Sequence, residues 1–263
     1  MKSFKILILV SLLVFAGAET FSSNKVELIK SHSLKVSSQT LFEVNTDGGE
    51  IEITPGNNYE VQVEIYGSKK SIEHYDFIFK SDDEVIKVIG ERKTKWNFLS
   101  NLSLKYKIKI PLKFDVNAST AGGDVKVGGI SGKHSLNTSG GDVWADEVSG
   151  TLKARTSGGD IKIFASNTEI DAKSSGGDIW LEYSGDNKGM DLVTSGGYIK
   201  IYIPKNFNAE IDTVTLGGDI KCEFELNKVR SLSKHKINGE INNGGRRISA
   251  KTSGGDIRVN FLK

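Results

Sequence analysis

The sequence predicts an all-β protein, a single-domain parallel β-solenoid with rungs of about 18 residues. Two observations carry this prediction. The tripeptide Gly-Gly-Asp occurs in four successive copies spaced by 18 residues each. The residues flanking each copy alternate between apolar and polar types, as in strands with one buried face. A fixed period with such flanks is typical of stacked rungs that bury their inner faces against one another.

The glycine pairs predict the turns between strands. Glycine reaches positive φ without strain, and the following Asp can accept backbone N–H groups. The predicted structural turns are Gly122-Gly123-Asp124, Gly140-Gly141-Asp142, Gly158-Gly159-Asp160, Gly176-Gly177-Asp178, Gly217-Gly218-Asp219 and Gly254-Gly255-Asp256. Three further pairs precede Glu50, Tyr198 and Arg246. A second, looser turn is expected half a period later, at Ser131-Gly132, Ser149-Gly150 and Ser184-Gly185.

The strands on both sides of each turn have predicted inward columns. After the Asp, the two inward columns are Val125, Val143, Ile161, Ile179, Ile199, Ile220 and Ile257, then Val127, Ala145, Ile163, Leu181, Ile201, Cys222 and Val259. Before the turn they are Thr120, Thr138, Thr156, Ser174, Thr194, Thr215 and Thr252, with Ala118, Leu136, Ala154, Ala172, Leu192, Thr213 and Ala250. The hydroxyls are expected to bond along the stack, and Cys222 is interpreted as a small core residue.

The region before the regular repeats has longer strands. Within residues 41–263, the prediction divides the solenoid into a long-strand part, 41–115, which also caps it, and the regular repeats, 116–263; residues 19–40 form an N-terminal segment or cap. The long strands are expected over Leu41–Thr46, Glu50–Thr54, Val61–Tyr66, Asp76–Lys80, Val85–Arg92 and Leu104–Ile110, with a loop at Lys93–Ser103 that carries Trp96 and Phe98. Because few residues follow the last repeat, an exposed C-terminal rung is expected, and with it end-to-end self-association.

The first 18 residues are predicted to be a Sec-type signal peptide. Lys2 and Lys5 precede an apolar run, and Ala16-Gly17-Ala18 supplies small residues for cleavage. Export to the periplasm, the cell surface or the medium follows; an uncleaved N-terminal anchor is the alternative. With 35 Lys and Arg against 33 Asp and Glu, the composition excludes a nucleic-acid binder.

The repeat Arg155-Thr156-Ser157-Gly158-Gly159-Asp160-Ile161, behind a signal peptide, resembles a bacterial putative-adhesin family with β-strand repeats. The stretch from Ile237 to Gly245, followed by Ile248–Ile257, is similar to that family's closing rungs. The resemblance covers roughly residues 40–263. It implies a β-solenoid in the cell envelope or outside the cell, and it transfers no catalytic residues because the family has none agreed.

An outward column is the predicted ligand-binding face. It consists of Lys126, Trp144, Lys162, Trp180, Lys200, Lys221 and Arg258, with Phe164 and Tyr202 beside it. Tryptophan on a solvent face is uncommon, and lysine one rung away can stack on it. One interpretation is a ladder that only stabilises itself. The other is a binding surface for a glycan, an envelope component or a protein.

Enzymatic and metal-binding functions have weaker support. The six Asp turns lack the third Gly and second Asp of calcium-binding rolls, so no cofactor is predicted, and calcium is kept as a minor alternative. Asp146, Glu182 and Glu223 share an outward column and could suit a polysaccharide-active enzyme. His32, His74, His134 and His235 share no repeat position and are expected to be solvated or locally hydrogen-bonded. The favoured function is therefore a non-enzymatic interaction protein; a structural or envelope-stress sensing module that acts through a protein partner is the second choice.

Overall fold

The computed structural model describes residues 26–36, 40–93 and 103–262. The expected signal peptide and most of the loop carrying Trp96 and Phe98 lie outside these residues. The described chain is all-β, which confirms the predicted class. It contains one helix, α1 (Lys69–His74), and no described helix is long and apolar enough to cross a membrane.

Twenty-one strands make up the described part of the chain. They are β1 (Glu27–Lys35), β2 (Leu41–Thr46), β3 (Glu50–Pro55), β4 (Glu60–Gly67), β5 (Tyr75–Ser81), β6 (Val85–Arg92), β7 (Leu104–Ile110), β8 (Asp115–Thr120), β9 (Val125–Gly128), β10 (Ser131–Thr138), β11 (Val143–Thr156), β12 (Ile161–Ser174), β13 (Ile179–Ser184), β14 (Met190–Val193), β15 (Ile199–Ile203), β16 (Ala209–Thr215), β17 (Ile220–Cys222), β18 (Leu226–Leu232), β19 (Lys236–Ile241), β20 (Arg247–Thr252) and β21 (Ile257–Phe261). The six strands expected between residues 41 and 110 are all present, with ends shifted by one residue at most.

The strands form two ladders joined at the glycine turns. Ladder A holds the strands before each turn, in the order β5-β6-β2-β8-β10-β11-β12-β14-β20-β16-β19-β18. Ladder B holds the strands after each turn, in the order β1-β4-β7-β3-β9-β11-β12-β13-β15-β21-β17. The central strands of both ladders pair in parallel. We use the term rung for one strand of ladder A together with the strand of ladder B that follows it in the chain. The core lies between the ladders.

Alternation along each strand decides which side chains enter this core. The inward columns predicted from the sequence are buried, with one exception. Cys222 is only partly buried, and its Sγ lies 3.9 Å from the carbonyl oxygen of Phe224. Burial raises the pKa of the Cys222 thiol.

The threonine column bonds along the stack. The hydroxyl of Thr138 donates to the carbonyl oxygen of Gly123 at 2.8 Å and accepts the N–H of Gly141 at 3.2 Å. The same two bonds recur at Thr156, Ser174, Thr194, Thr215 and Thr252. Each buried hydroxyl therefore ties its own turn to the turn of the neighbouring rung.

The second glycine of most pairs is required for space and not for positive φ. A Cβ at Gly141 would lie 2.1 Å from the carbonyl oxygen of Gly123, whereas one at Gly140 would lie 4.0 Å from its nearest neighbour. The same close approach recurs at 159, 177, 197, 218 and 255, where φ is outside the left-handed region. Among the second glycines of the glycine pairs, Gly49, Gly123 and Gly245 have positive φ values, 108°, 130° and 145°. The explanation based on positive φ was therefore wrong for most of the turns.

The second corner of the rung differs from the expected turn. At Ser149-Gly150 strand β11 runs on through the corner, with shifts of register around Val148. Strand β12 is also continuous from ladder B to ladder A. Because these two strands pair at both ends with different neighbours, all 21 strands belong to one hydrogen-bonded sheet.

The order of rungs in space differs from their order in the chain. The last rung, β20 with β21, lies between the β14–β15 rung and the β16–β17 rung. The expectation of an exposed C-terminal rung was therefore wrong, and with it the site expected for end-to-end self-association. The N–H of Phe261 donates to Glu223 and that of Leu262 to Ile203, which fixes the end of β21 inside the stack.

Antiparallel strands close three of the four ladder ends. Strand β5 closes ladder A at one end, and β19 with β18 closes it at the other. Strands β4 and β1 close the first end of ladder B. Within the described residues, the three-residue strand β17 is the last strand of ladder B.

His134 does not fit the expectation of a solvated or hydrogen-bonded histidine. It faces the core from β10, in a column whose neighbours are Val116 and Leu152, and is only 2% exposed. The ring nitrogens lie near backbone groups of Ile130 and Ser149 but form no well-aligned hydrogen bond. Removal from water lowers the pKa of His134, so the neutral ring is the form that the core accommodates.

Candidate binding face

Strand pairing places the predicted Lys/Trp column on the outer side of ladder B. The neighbours in register are Lys126, Trp144, Lys162, Trp180, Lys200, Arg258 and Lys221. The column is thus as predicted, except that Arg258 precedes Lys221 because the last rung is inserted. Phe164 and Tyr202 lie in the next outward column, opposite Asp146 and Glu182. This ordered set of side chains is called the Lys/Trp face below.

The aromatic rings of the Lys/Trp face contact each other across neighbouring rungs. The centroids of Trp144 and Phe164 are 6.0 Å apart with planes at 28°, and those of Trp180 and Tyr202 are 4.7 Å apart at 30°. Trp144 is 40% exposed, while the other three rings are half-buried. Rings in such pairs stabilise the ladder, and the exposed part of Trp144 stays accessible to a ligand.

Two lysines of the face stack on tryptophan. The Nζ of Lys162 lies 5.6 Å from the ring centroid of Trp144, and the Nζ of Lys200 lies 5.4 Å from that of Trp180. At exposed sites such contacts contribute about 0.5–1 kcal/mol each. Lys162 and Lys200 form no ion pair with any described residue, and neither does Lys221 at the far end of the face.

The first part of the face has its charge neutralised. The Nζ of Lys126 lies 2.7 Å from Glu50 and 3.3 Å from Asp124. The bond to Glu50 raises the pKa of Lys126. Lys105 bonds Glu52 at 2.7 Å, which raises the pKa of Lys105 and lowers that of Glu52. Cations available to a ligand therefore begin at Lys162.

The outer side of ladder A is different in kind. Three of its cations are paired with carboxylates, namely Arg155 with Asp171, Lys173 with Asp191 at 3.7 Å, and Arg247 with Asp212. Lys153 and Lys251 are exposed on the same side and form no ion pair with a described residue. None of the aromatic or cation–π contacts within residues 26–36, 40–93 and 103–262 joins side chains of the ladder A strands β8, β10, β14, β16 or β20. Among the strands of the regular repeats, the combination of unpaired lysine and aromatic rings is thus found on ladder B, whereas in ladder A the cation–π contacts are at its first end, on β5.

Two features of the structure enlarge the Lys/Trp face beyond the residues predicted from the sequence. Tyr198 replaces the turn Asp beside Lys200 and is 47% exposed, so it adds a ring to the same surface. The sequence signal was the interruption of the Asp column. Lys107 and Glu52 extend the column beyond Lys126, because β7 pairs with β3. No signal in the sequence reveals that pairing, since β7 has no glycine turn.

The turn carboxylates serve the neighbouring rung. The Oδ1 of Asp142 accepts the N–H of Asp160 at 2.7 Å, and that of Asp160 accepts the N–H of Asp178 at 2.8 Å. Equivalent bonds join Asp124 to Asp142, Asp178 to Tyr198 and Asp256 to Asp219. The described residues contain no group of three or more His, Cys, Asp or Glu side chains arranged to hold a metal ion.

The carboxylates considered for catalysis do not converge. Asp146 and Glu182 are separated by Phe164, which pairs with both. Glu182 accepts the indole N–H of Trp180 at 3.1 Å, and Glu223 accepts the N–H of Phe261. Two rungs correspond to about 9–10 Å, and Asp146 is exposed while Glu182 is half-buried.

The fold and this face define a repeat protein of two β-ladders with an exposed aromatic and cationic surface. Residues 100–260 match the family described as Toastrack DUF4097, and the match includes all of the regular Gly-Gly-Asp turns. The chain belongs to this Toastrack family.

Solved structures of low similarity extend over most of the chain. A "putative cell adhesion protein" from Clostridium sporogenes is 12% identical, with 91% of this chain and 100% of that one covered and a TM-score of 0.41. A "putative adhesin" from Bacteroides fragilis is 14% identical, with 90% and 97% covered and a TM-score of 0.42. A "putative lipid binding protein" from Parabacteroides distasonis is 11% identical, with 89% and 96% covered and a TM-score of 0.39. No curated protein matches the chain.

Proposed function

We propose that this chain is a non-enzymatic, exported interaction protein in which a parallel β-solenoid presents the Lys/Trp face to a glycan, an envelope component or a protein. The observation that carries the proposal is the exposed Trp144 beside Lys162, which forms no ion pair with any described carboxylate. Large apolar rings on a solvent face usually have a binding role when polar groups surround them. The rigid ladder supports this role, because it holds the rings without a loss of order on binding.

The residues proposed to contact the ligand are those of the Lys/Trp face. Trp144, Trp180, Phe164 and Tyr202 supply apolar surface, and Lys162 and Lys200 supply donors between the rings. Lys221 and Arg258 extend the cationic surface at one end. Lys126, which is ion-paired with Glu50 and Asp124, borders it at the other end.

The test is the double variant Trp144→Ser/Trp180→Ser, measured for attachment to isolated bacterial cell envelopes. A matched control is Val193→Ser/Val214→Ser, two half-buried outward positions on ladder A. We expect the first variant to lose at least ten-fold in bound protein while the control binds like the parent. Circular dichroism and the melting temperature establish that both variants are folded. Equal binding by the folded double variant and the parent would exclude the proposed face.

A structural or envelope-stress sensing role through a protein partner is the alternative. It is favoured by the contacts within the face, because Trp180 is bonded to Glu182 and stacked on Tyr202 without any ligand. Co-purification of one stoichiometric envelope protein by the parent and by the double variant alike would support this alternative. A carbohydrate-active enzyme comes third, and release of product from a polysaccharide would be its test.

Export is part of the proposal. The predicted cleavage after Ala18 would leave a mature chain beginning at Glu19. Sequencing the N-terminus of protein recovered from the periplasm, the cell surface and the medium tests both the cleavage and the compartment. A chain recovered from the cytoplasm with residues 1–18 intact would contradict it.

A further inference from the structure

The Lys/Trp face contains the same four-residue arrangement twice. The first unit is Trp144 and Asp146 on β11 with Lys162 and Phe164 on β12. The second unit is Trp180 and Glu182 on β13 with Lys200 and Tyr202 on β15. In each unit a Trp-x-acid strand pairs in register with a Lys-x-aromatic strand.

The lysine distances and ring tilts of the two units also match, although the ring centroids are 6.0 Å apart in the first unit and 4.7 Å apart in the second. The lysine lies 5.6 Å from the Trp centroid in the first unit and 5.4 Å in the second. The ring of the next rung stacks on the Trp at 28° in one unit and 30° in the other. Because Lys162 pairs with Trp180 and Phe164 with Glu182, the second unit follows directly on the first. The two units are thus related by a translation of two rungs along the ladder, about 9–10 Å.

Translational repetition points to a ligand that repeats itself. A linear polymer can make the same contacts in both units, whereas a single lipid headgroup fills only one and a globular protein surface has no such period. Linking two equal contacts in one ligand raises affinity by about 10²–10⁴-fold over one contact. The repeat therefore indicates a polymer that lies parallel to the ladder axis.

The chemistry of one unit is that of a neutral sugar site. Aromatic rings accept the C–H faces of sugars, lysine donates hydrogen bonds to hydroxyl oxygens, and Asp146 or Glu182 accepts from hydroxyl groups. One cation and one carboxylate per unit leave no net charge, which does not favour a polyanion. In an extended β-1,4-linked glycan alternate sugars are turned over, so the same sugar face returns at every second residue, a length close to two strand spacings.

We infer that the ligand is a linear, uncharged β-linked glycan that runs along ladder B and places one disaccharide on each unit. This inference rests on the proposed function, since it specifies the ligand of the same face. Four sugars are needed to occupy both units, and two sugars occupy one.

The experiment measures binding of cello- and chito-oligosaccharides of two, four and six sugars to the full exported chain by calorimetry. For one of the two series, we expect four sugars to bind at least ten-fold more tightly than two, and six to bind like four. Trp144→Ser or Trp180→Ser should each reduce four-sugar affinity to the two-sugar level, while Val193→Ser has no effect. The pair Lys162→Gln/Lys200→Gln, which retains all the rings, should also lose at least ten-fold if a Trp variant does not fold.

The outcomes separate the inference from the proposal on which it rests. If no oligosaccharide binds, or if affinity does not depend on length, the inference is overturned. The binding face itself still stands if the double Trp variant loses attachment to envelopes, and protease treatment of the envelopes then identifies a protein partner. If the folded double variant keeps its attachment and no oligosaccharide binds, both the inference and the proposed function fail.

Discussion

The hydroxyl of Thr156 donates a 2.8 Å hydrogen bond to the carbonyl oxygen of Gly141, fifteen residues earlier in the chain and in the neighbouring rung. The same hydroxyl accepts the N–H of Gly159 at 3.2 Å in its own turn. One buried side chain therefore forms a hydrogen bond in its own turn and another to the turn of the neighbouring rung. Repetition of this arrangement holds the turns in register along the stack.

Replacing Thr156 with Val removes this hydroxyl while keeping the shape of the side chain. We expect the free energy of unfolding to fall by about 1–3 kcal/mol, because the carbonyl of Gly141 and the N–H of Gly159 lose a buried partner. Chemical denaturation measures the change. The control is Thr151→Val in the same strand, whose side chain faces outward, and it should change stability by less than about 0.5 kcal/mol. A smaller loss for Thr156→Val than for the control would contradict the proposed role of the hydroxyl column.

The two glycines of one turn should respond differently to a methyl group. Gly141→Ala places its Cβ against the carbonyl of Gly123, so the rungs must move apart, and we expect a loss of about 1–3 kcal/mol. Gly140→Ala has space for its Cβ and should be nearly neutral. Thermal melting of both variants distinguishes them. Equal melting temperatures would show that the close approach of the rungs is not what requires glycine.

The turn carboxylate of Asp160 can be tested by a matched pair of variants. Asp160→Asn keeps an oxygen that accepts the N–H of Asp178, whereas Asp160→Ala removes it. We therefore expect the alanine variant to be less stable than the asparagine variant by about 0.5–1.5 kcal/mol. Denaturation at neutral pH measures the difference. Equal stabilities would argue against a structural role for the Asp column.

Calcium removal should leave the protein unchanged. One oxygen of each stacked Asp in the column from Asp124 to Asp178 already accepts a backbone N–H, and calcium prefers six to eight oxygen ligands. We expect the melting temperature to be the same in millimolar calcium and after treatment with excess EDTA. A clear decrease in EDTA, restored by calcium but not by magnesium, would instead support the metal-binding alternative.

Acid should destabilise the protein through His134. Because burial lowers the pKa of this ring below its ordinary value of 6.5, the unfolded chain takes up a proton at a higher pH than the folded chain does. The stability due to the neutral ring is therefore fully present above about pH 6.5 and falls as the pH drops toward the folded pKa. The nearby carboxylate of Asp115 and the backbone groups of Ile130 and Ser149 oppose the shift without cancelling it.

The variant His134→Leu tests this acid sensitivity. Leucine suits a column that holds Val116 and Leu152, so we expect a gain of about 1–3 kcal/mol at pH 7, from removal of a buried unpaired polar group, and a larger gain at pH 5. Denaturation between pH 4.5 and 8 provides the profile. His235→Gln, at an exposed position, is the control and should keep the slope of the parent. A parent slope retained in His134→Leu would assign the acid sensitivity to other groups.

The all-β class, the rungs and the side of the strand on which each residue lies could be predicted from the amino-acid sequence. These depend on local rules: alternation with a period of two, and a turn motif that recurs at a fixed spacing. For the same reason it placed Trp144 and Lys162 next to each other on one outer face. The steric requirement for glycine at the second position of each pair could not be predicted from the sequence, because it depends on how closely the carbonyl oxygen of the neighbouring rung approaches.

The order of the rungs follows from long-range strand pairing and could not be predicted from the sequence. Successive rungs present nearly equivalent edges, so local pattern cannot tell whether β15 pairs with β17 or with β21, and the structure pairs it with β21. The hairpin of β18 and β19 pairs antiparallel with β16 and occupies its outer edge, so the β16–β17 rung is the last parallel rung of the stack. Long-range packing also buries His134 without a well-aligned hydrogen bond to its ring nitrogens. No spacing in the sequence indicates this burial. The duplicated unit of Trp, acid, Lys and aromatic ring became visible once these pairings were known.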